Sequence, residues 1–385
     1  MKQKLSYVSP SSIPSSSANS IHVVLQCAAL LSEGVDVQIF ANRSVKNKPA
    51  LIKAVFDAYG VDLGNADFLT FYSATRRFIN IRIALLAILH LAFKRNAPLV
   101  LSRNLYFSFF YAVFMGKRML FETHQVEHGF RKTMQRWIMK KHWVQTIVVS
   151  HKLEEILAFE HGIAPATTIV LHDAAPDGLP SSTKGMKDES LTDLVGITNE
   201  NWRAVCGYFG QLYEGRGIEI IEEMARARPD VLFLVFGGNR DDIVGRRNAN
   251  RDLPNIYFGG HVSHSKVQKI MKNVDFLLMP YQKKVSIGVK GHDTGRWMSP
   301  MKMFEYMASG VPIISSDLPV LREILEDERN AILVSPSNRD EWCDALDRLL
   351  TNPSLASSLG KRAHQDYLDK YTWGTRARRI LSLVS

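Results

Sequence analysis

Ser299-Pro300-Met301-Lys302-Met303-Phe304-Glu305-Tyr306-Met307-Ala308-Ser309-Gly310 runs directly into Val311-Pro312-Ile313-Ile314-Ser315-Ser316-Asp317. The stretch reads as a helix followed by a strand. Ser299 suits the N-cap, where a hydroxyl accepts a bond from a free backbone N–H, and Pro300 suits the first helical position. Gly310 suits the left-handed stop. Open amides, the positive end of the helix dipole and Lys302 together make an anion site. Glu305 lies one turn further in, and a carboxylate there can accept two sugar hydroxyls at once. A phosphate grip beside a hydroxyl grip points to a nucleotide-sugar site.

Outward from this stretch, short apolar strands alternate with helical periods, the pattern of parallel α/β sheets. Strands are expected near Leu5–Ser9, Val35–Ala41, Leu99–Arg103, Arg118–His124, Thr146–Ser150 and Thr168–Leu171 in the first half. In the second half they fall near Ala204–Phe209, Val231–Phe236, Asn255–Phe258, Asp275–Pro280, Val311–Ser316 and Ala331–Val334. A helix from Ser20 to Glu33 aligns Ile21, Val24, Leu25, Ala28 and Leu31 and stops at Gly34. The chain of 385 residues is too long for one ordinary core and fits two α/β domains. Residues 1–185 form the first and 201–372 the second, joined by a linker at 186–200 that ends a stretch, 174–200, rich in Pro, Gly, Ser, Thr and Asp. The two halves look like one structural wrap used twice. Ligands of such sheets bind outside the carboxyl ends of the strands.

The Ser299–Gly310 run resembles the donor-site helix of retaining glycosyltransferases of family GT4, in the branch with an S-P-x-K-x-F-E-Y-M-A-x-G pattern. The likeness extends over most of residues 195–385 and, more loosely, over the N-terminal half. It implies the GT-B fold: two Rossmann-like domains whose parallel sheets face each other across a cleft, with a closing helix at 373–385 crossing back onto the N-terminal domain. It also implies a nucleotide-diphosphate-sugar donor, UDP- or GDP-linked, and chemistry that needs no metal and no further cofactor. No Asp-x-Asp stands at a plausible site.

Carried over residue by residue, the likeness assigns Glu305 to the ribose hydroxyls and Ser299, Pro300 and Met301 to the phosphate-binding helix start. The family's first acid would fall at position 297, which here is Trp297; Asp293 is a candidate substitute. The loop Gln282–Met298, with Lys283, Lys284, Lys290, His292 and Arg296 and with Gly288, Gly291 and Gly295, reads as a lid or as an exposed loop. Tyr208-Phe209-Gly210-Gln211-Leu212-Tyr213-Glu214-Gly215-Arg216-Gly217 matches the phosphate loop. Gln211 stands where the family commonly has Arg, so phosphate binding leans on Arg216 and Lys302. Gly237 and Gly238 resemble the glycine turn near the nucleotide, and Phe258–Val262 the loop that borders the base. Glu122-Thr123-His124 resembles the family's E-x-H element, which places His124 on the donor sugar. Alternation also puts Glu122 and His124 on one strand face. His124, Arg216, Lys302 and Glu305 are thus the expected catalytic set, acting with the helix start on a developing diphosphate charge. Ser16, Ser17 and Asn19, in a long polar loop from Ser9 to Ser20 that lacks the family's paired glycines, are acceptor-side candidates together with Glu122 and Arg103.

The net charge of +10 is uneven: residues 1–185 hold 21 Lys and Arg against 12 Asp and Glu. Such a face suits nucleic acid, anionic lipid or an anionic glycan, and no nucleic-acid motif accompanies it. The segment Arg131–Trp143 interleaves Arg131, Lys132, Arg136, Lys140 and Lys141 with Met134, Trp137, Ile138 and Trp143, a pattern of a helix lying on an anionic membrane or of a solvated basic face over a packed stripe. Ile83–Phe93 is too short to span a bilayer and reads as a buried helix. Cys27, Cys206 and Cys343 show no metal spacing and argue for a reducing compartment. No secretory leader is legible in the first residues. These features place the expected enzyme in the cytoplasm, peripheral on the inner face of the membrane, with a glycan or lipid-linked glycan acceptor in bacterial surface polysaccharide synthesis. A GT-B nucleotide-sugar epimerase and a non-catalytic GT-B scaffold are the alternatives.

Overall fold

The computed structural model describes residues 3–383 except 16, 74–77, 93, 95–97, 165–167, 180–188, 198–200, 287 and 289–292. Ser16, Lys290, Gly291 and His292 lie outside the described residues, as do the two ends of the expected linker. The chain divides into two compact units: Met1–Pro176 with Thr372–Ser385, and Asp177–Tyr371.

The first unit is built on β1 (Lys4–Ile13), β2 (Asp36–Arg43), β3 (Asp67–Tyr72), β4 (Leu99–Ser102), β5 (Met119–Thr123), β6 (Val144–Val148) and β7 (Thr168–Val170). The strands lie in the order β3-β2-β1-β4-β5-β6-β7, all parallel. Tyr7 of β1 pairs with Ile39 on one side and Leu101 on the other, so the order reverses at β1. Such a reversal opens a crevice at the carboxyl ends of the strands.

The second unit repeats the wrap with β8 (Ala204–Phe209), β9 (Val231–Phe236), β10 (Ile256–Gly260), β11 (Phe276–Met279), β12 (Ile313–Ser316) and β13 (Ile332–Val334). Their order is β10-β9-β8-β11-β12-β13, again parallel throughout. Every residue of β8 and β9 is buried, as a sheet covered by helices on both faces requires. That is why these strands read as unbroken apolar runs.

Five local readings change. β3 has no counterpart among the expected strands: it is an edge strand that buries only Phe68, so its sequence lacks an apolar run. β1 continues to Ile13, so Ser9–Ile13 is strand rather than loop. The buried Ser9 hydroxyl donates to Ser11 Oγ at 2.9 Å, which satisfies the polar side chains inside the sheet. The following helix is Ala18–Ser32, capped by the Ser17 side chain. The helix Ile79–Leu91 buries Ile83, Ala84, Ala87 and Leu91 but exposes Leu85 and Leu89, so it is buried on one side only. Within 186–200, Leu191–Val195 forms a short helix opened by a Ser190–Asp193 capping box.

The helix Trp373–Ser382 belongs to the first unit. Thr372 bridges to Ala175, and Trp373 N donates to Ala175 O at 3.0 Å. The helix packs on Ala18–Ser32 and buries Trp373 completely. Among the described residues, no helix is long and apolar enough to cross a membrane.

Candidate functional site

In the second unit three glycines crowd one place. A Cβ on Gly210, which follows β8, would lie 2.7 Å from Lys302 Nζ. Gly237 has φ +119°, and a Cβ there would stand 1.9 Å from Gly210 O. The Gly237 approach, backbone against backbone at positive φ, is one that only glycine tolerates. Gly238 has φ +77°, and a Cβ would meet the Leu212 side chain at 2.7 Å. Gly210 therefore leaves the Lys302 head its space, and Gly237 lets the neighbouring turn close on Gly210.

The helix carrying Lys302 is Met301–Ser309, one residue later than the sequence suggests. Pro300, not Ser299, occupies the N-cap, with no side-chain cap bond, because a proline ring has no oxygen to offer. Met301 and Lys302 are the first two helical residues, so the first turn still presents its amides. Gly310 closes the helix at φ 69° as expected. Tyr306 OH accepts from Phe209 N at 2.8 Å and ties the helix to the end of β8.

Lys302 Nζ is buried with no hydrogen-bond partner among the described residues. It rests 3.9 Å from the centre of the Tyr208 ring and 4.9 Å from that of Tyr281. Burial holds its pKa well below the ordinary lysine value, Arg216 pushes the same way, and Glu305 opposes. Arg216 donates from Nη1 to Tyr281 OH at 2.9 Å and from Nη2 to Ser286 O at 3.2 Å, while its buried Nε has no partner among the described residues. Two arms of the expected phosphate fork are thus engaged by the protein itself. Glu305 Oε1 lies 3.7 Å from His264 Nε2. Asp293 does not stand as a free acid: its Oδ1 accepts from Val285 N at 2.8 Å and Gly295 N at 2.9 Å and so ties its own loop.

In the first unit, Glu122 and His124 meet as the strand alternation requires: His124 Nε2 lies 2.8 Å from Glu122 Oε1. Burial pushes His124 down to about 4, and the Arg103 charge adds to this against the Glu122 contact. His124 is therefore neutral at pH 7, gives its Nε2 proton to Glu122, and keeps Nδ1 as an acceptor. Glu122 Oε1 also takes Arg376 Nη2 at 2.8 Å and lies 3.0 Å from His22 Nε2, while Oε2 accepts from Tyr7 OH at 3.1 Å. Burial alone would raise the Glu122 pKa; Arg376 and His22 hold it well below the usual carboxylate value. His22 Nδ1 lies 2.8 Å from Asp173 Oδ1.

Sequence reasoning missed Arg376, His22, Tyr7 and Asp173, and no local spacing signals them. Candidate ligand atoms of His22, Glu122 and His124 lie within 4.8 Å of one another. The Arg376 guanidinium on the same Glu122 oxygen makes this a poor place for a cation.

A cavity of about 370 Å³ opens at the carboxyl ends of β4 and β5. It brings together Asn19, Asn80, Arg103, Tyr106, His124 and Arg131, with Glu122 in its wall. Asn19 and Arg103 thus share a pocket as expected candidates, whereas Ser17 serves as a helix cap.

The basic segment splits. In the helix Phe130–Met139, Met134 and Ile138 are buried while Trp137 stays half exposed, stacked on Phe109 with ring centres 5.9 Å apart. Trp143 lies beyond the helix and donates from Nε1 to Ala112 O at 2.9 Å. Phe109 also touches Phe114, which packs against Phe110; Phe110 and Phe114 are exposed. Between residues 103 and 143 eight Lys and Arg stand against two acids, Glu122 and Glu127, and both acids are buried.

Residues 216–382 match the family of Glycosyl transferase-like proteins. An uncharacterized glycosyltransferase of Methanocaldococcus jannaschii is 26% identical over 188 residues, 46% of this chain and 43% of its own. The chain spans less than half the length of the curated relatives it matches. Among solved structures, sucrose-phosphate synthase from Thermosynechococcus elongatus superposes with TM-score 0.75 at 16% identity, covering 99% of this chain and 98% of that one. HepE of Anabaena, in complex with UDP, superposes with TM-score 0.72 at 14% identity, covering 100% and 99%; it is also solved with UDP-glucose. The fold is GT-B.

Proposed function

We propose that the chain is a retaining glycosyltransferase of family GT4 that moves a hexose from a UDP- or GDP-sugar to a glycan or lipid-linked glycan. The observation that carries this reading is the Lys302 ammonium, buried without a hydrogen-bond partner among the described residues, close against Gly210. An unpaired buried cation costs several kcal/mol, on the order of the penalty for moving an ion out of water. An arriving diphosphate would remove that penalty, and the uncapped first turn of Met301–Ser309 adds amides aimed at the same charge. The match over 216–382 and the UDP and UDP-glucose complexes of HepE support the same donor class.

In this reading Lys302, Arg216 and the helix start at Ser299, Pro300 and Met301 hold the diphosphate, with Gly210, Gly237 and Gly238 giving it close approach. Glu305 takes the ribose, and neutral His124 takes a donor-sugar hydroxyl on Nδ1. The bond from the anomeric carbon to the phosphate oxygen breaks, and the bond to the acceptor oxygen forms on the same face. The acceptor proton passes to the departing phosphate. Fixed cations stabilise the leaving charge, so the step is proposed to need no metal. The proposed setting is bacterial surface polysaccharide synthesis at the cytoplasmic membrane face. The exposed Phe110, Phe114 and Trp137 beside basic side chains support peripheral docking there.

A thermal-shift panel of UDP, GDP, ADP and CMP without metal tests the donor site on wild type, Lys302→Met and Glu305→Ala. A ligand bound only by the folded state raises the melting temperature. One diphosphate is expected to stabilise wild type and neither variant. A wild type that ignores every nucleotide would overturn the reading and favour the scaffold.

A further inference from the structure

We infer that the cavity of the first unit binds an anionic group, a carboxylate or a phosphate, on Arg103, and that the acceptor is therefore an acidic sugar or a sugar phosphate. Calling this ligand the acceptor rests on the glycosyltransferase reading; the anion site stands on the cavity itself.

The charges around the cavity do not cancel. Two carboxylates, Glu122 and Glu127, two guanidiniums, Arg103 and Arg131, and one imidazole, His124, line the cavity or its wall. Glu127 is answered by Arg131, whose Nη2 donates to its Oε1 at 2.9 Å. Glu122 is answered by Arg376. His124 is neutral, held down to about 4 by burial and by Arg103. Arg103 remains. Among the described residues no carboxylate pairs with it, and its Nη1 is buried without a hydrogen-bond partner. Its charge bears on Tyr7 as well as on His124, so it stands over the same end of the sheet as the Glu122 cluster.

The position is held by backbone rather than by partners. Arg103 follows β4, and its N donates to Val8 O at 3.0 Å. The next residue, Asn104, caps the short helix Leu105–Ser108 and donates from Nδ2 to Asn80 O at 2.8 Å. Arg103 is thereby fixed at the mouth of the crevice with donors to give and nothing to receive them. A guanidinium presents a planar fork matched to carboxylate and phosphate oxygens. The rest of the lining suits a sugar. Asn19 Oδ1 is a buried acceptor without a partner among the described residues, His124 Nδ1 is a second acceptor, and the Tyr106 ring lines the wall. The volume of about 370 Å³ is that of a small-ligand pocket.

The test titrates the full chain with glucose, glucuronate, glucose 6-phosphate and inorganic phosphate, using wild type, Arg103→Gln, Arg103→Lys and the surface control Lys53→Gln. UDP serves as a separate probe of the second unit. Wild type and Lys53→Gln are expected to bind an acidic sugar at least about tenfold tighter than glucose, the scale of a charge-assisted hydrogen bond. Arg103→Gln should bring acidic and neutral sugars together and Arg103→Lys should keep part of the preference, with the UDP response unchanged in both. Whichever of glucuronate and glucose 6-phosphate binds tighter names the group. Equal binding of acidic and neutral sugars by wild type overturns the proposal. So does a preference that survives Arg103→Gln. Inorganic phosphate binding as tightly as glucose 6-phosphate overturns the sugar part, and a lost UDP response in Arg103→Gln assigns the residue to the donor instead. If wild type answers GDP and not UDP, GDP takes the place of UDP as that probe; absence of a response to every nucleotide defeats the donor reading alone and leaves the sugar titrations readable.

Discussion

Arg376 Nη2 stands 2.8 Å from Glu122 Oε1, although 254 residues separate them along the chain. Both side chains are almost fully buried, at 3% and 0% exposure. The guanidinium also donates to Gln26 Oε1 and to His172 O, so one side chain links the C-terminal helix to Ala18–Ser32, to β5 and to the segment after β7.

Arg376→Met removes the partner and leaves a carboxylate buried alone. The expected cost is about 3–5 kcal/mol at neutral pH, read as a lower denaturant midpoint for the unfolding of the first unit. Adding Glu122→Gln should recover part of it. Glu122 has its folded pKa depressed, so its contribution is present above about pH 4.3 and is lost as pH falls through the folded value. The damage from Arg376→Met should therefore shrink on acidification. A variant as stable as wild type at pH 7 contradicts this account.

Lys302→Met swaps a buried cation for an apolar chain of similar length. Removing an unpaired buried cation removes its desolvation cost, so the change should be neutral or stabilising. The unliganded variant should melt at or above the wild-type temperature while its affinity for the stabilising diphosphate falls by about 10–100-fold. The lysine pKa is depressed on folding, so wild type should gain stability as pH rises toward the ordinary lysine value, and the variant should not. A variant that melts lower and binds as wild type would show that Lys302 is structural.

Two glycine substitutions separate site from scaffold. Gly210→Ala meets the movable end of Lys302 and, at 3.2 Å, the Tyr208 hydroxyl, so the fold should survive while diphosphate binding weakens by roughly tenfold or more. Gly237→Ala meets backbone at 1.9 Å with φ +119°, and should cost more than about 3 kcal/mol or abolish soluble expression. Equal behaviour of the two would refute the geometry, and circular dichroism melting with a binding titration reads both.

His124 is neutral down to about pH 4 in the folded chain. Its depressed pKa means that stability is fully present above about pH 6.5 and declines as pH falls toward 4. His161 and His172 are held down to about 4 in the same way, so His124→Gln should flatten this decline only in part. Arg103→Gln should raise the His124 pKa, because the Arg103 charge helps lower it; imidazole chemical shifts followed against pH report the change directly.

Phe114→Ser with Trp137→Ser removes two exposed rings from the aromatic cluster. Binding to vesicles containing anionic lipid should drop by about tenfold or more, and wild-type binding should weaken with salt. Equal sedimentation of both proteins with such vesicles excludes this face as the docking surface.

Both parallel wraps were legible because strands buried on two faces must be apolar throughout, as β8 and β9 are. The helix ending at Gly310 was legible too, since a left-handed stop is a property of the residue itself. So was the meeting of Glu122 with His124, which strand alternation dictates. Edge strand β3 was not, because one buried side chain leaves no pattern. Nor could periodicity show that Trp137 faces outward while Met134 and Ile138 turn in.

Sequence by itself determined what depends on neighbours within a turn or a strand: the alternation of elements, their stops, and which residues sit at strand ends. Tertiary structure alone decided which buried charges find partners. Glu122 acquires Arg376 because the last helix returns to the first sheet, while Lys302 and Arg103 are left with donors to spare. Burial makes each pairing or its absence worth kilocalories, and burial is a property of the assembled sheets, not of any segment.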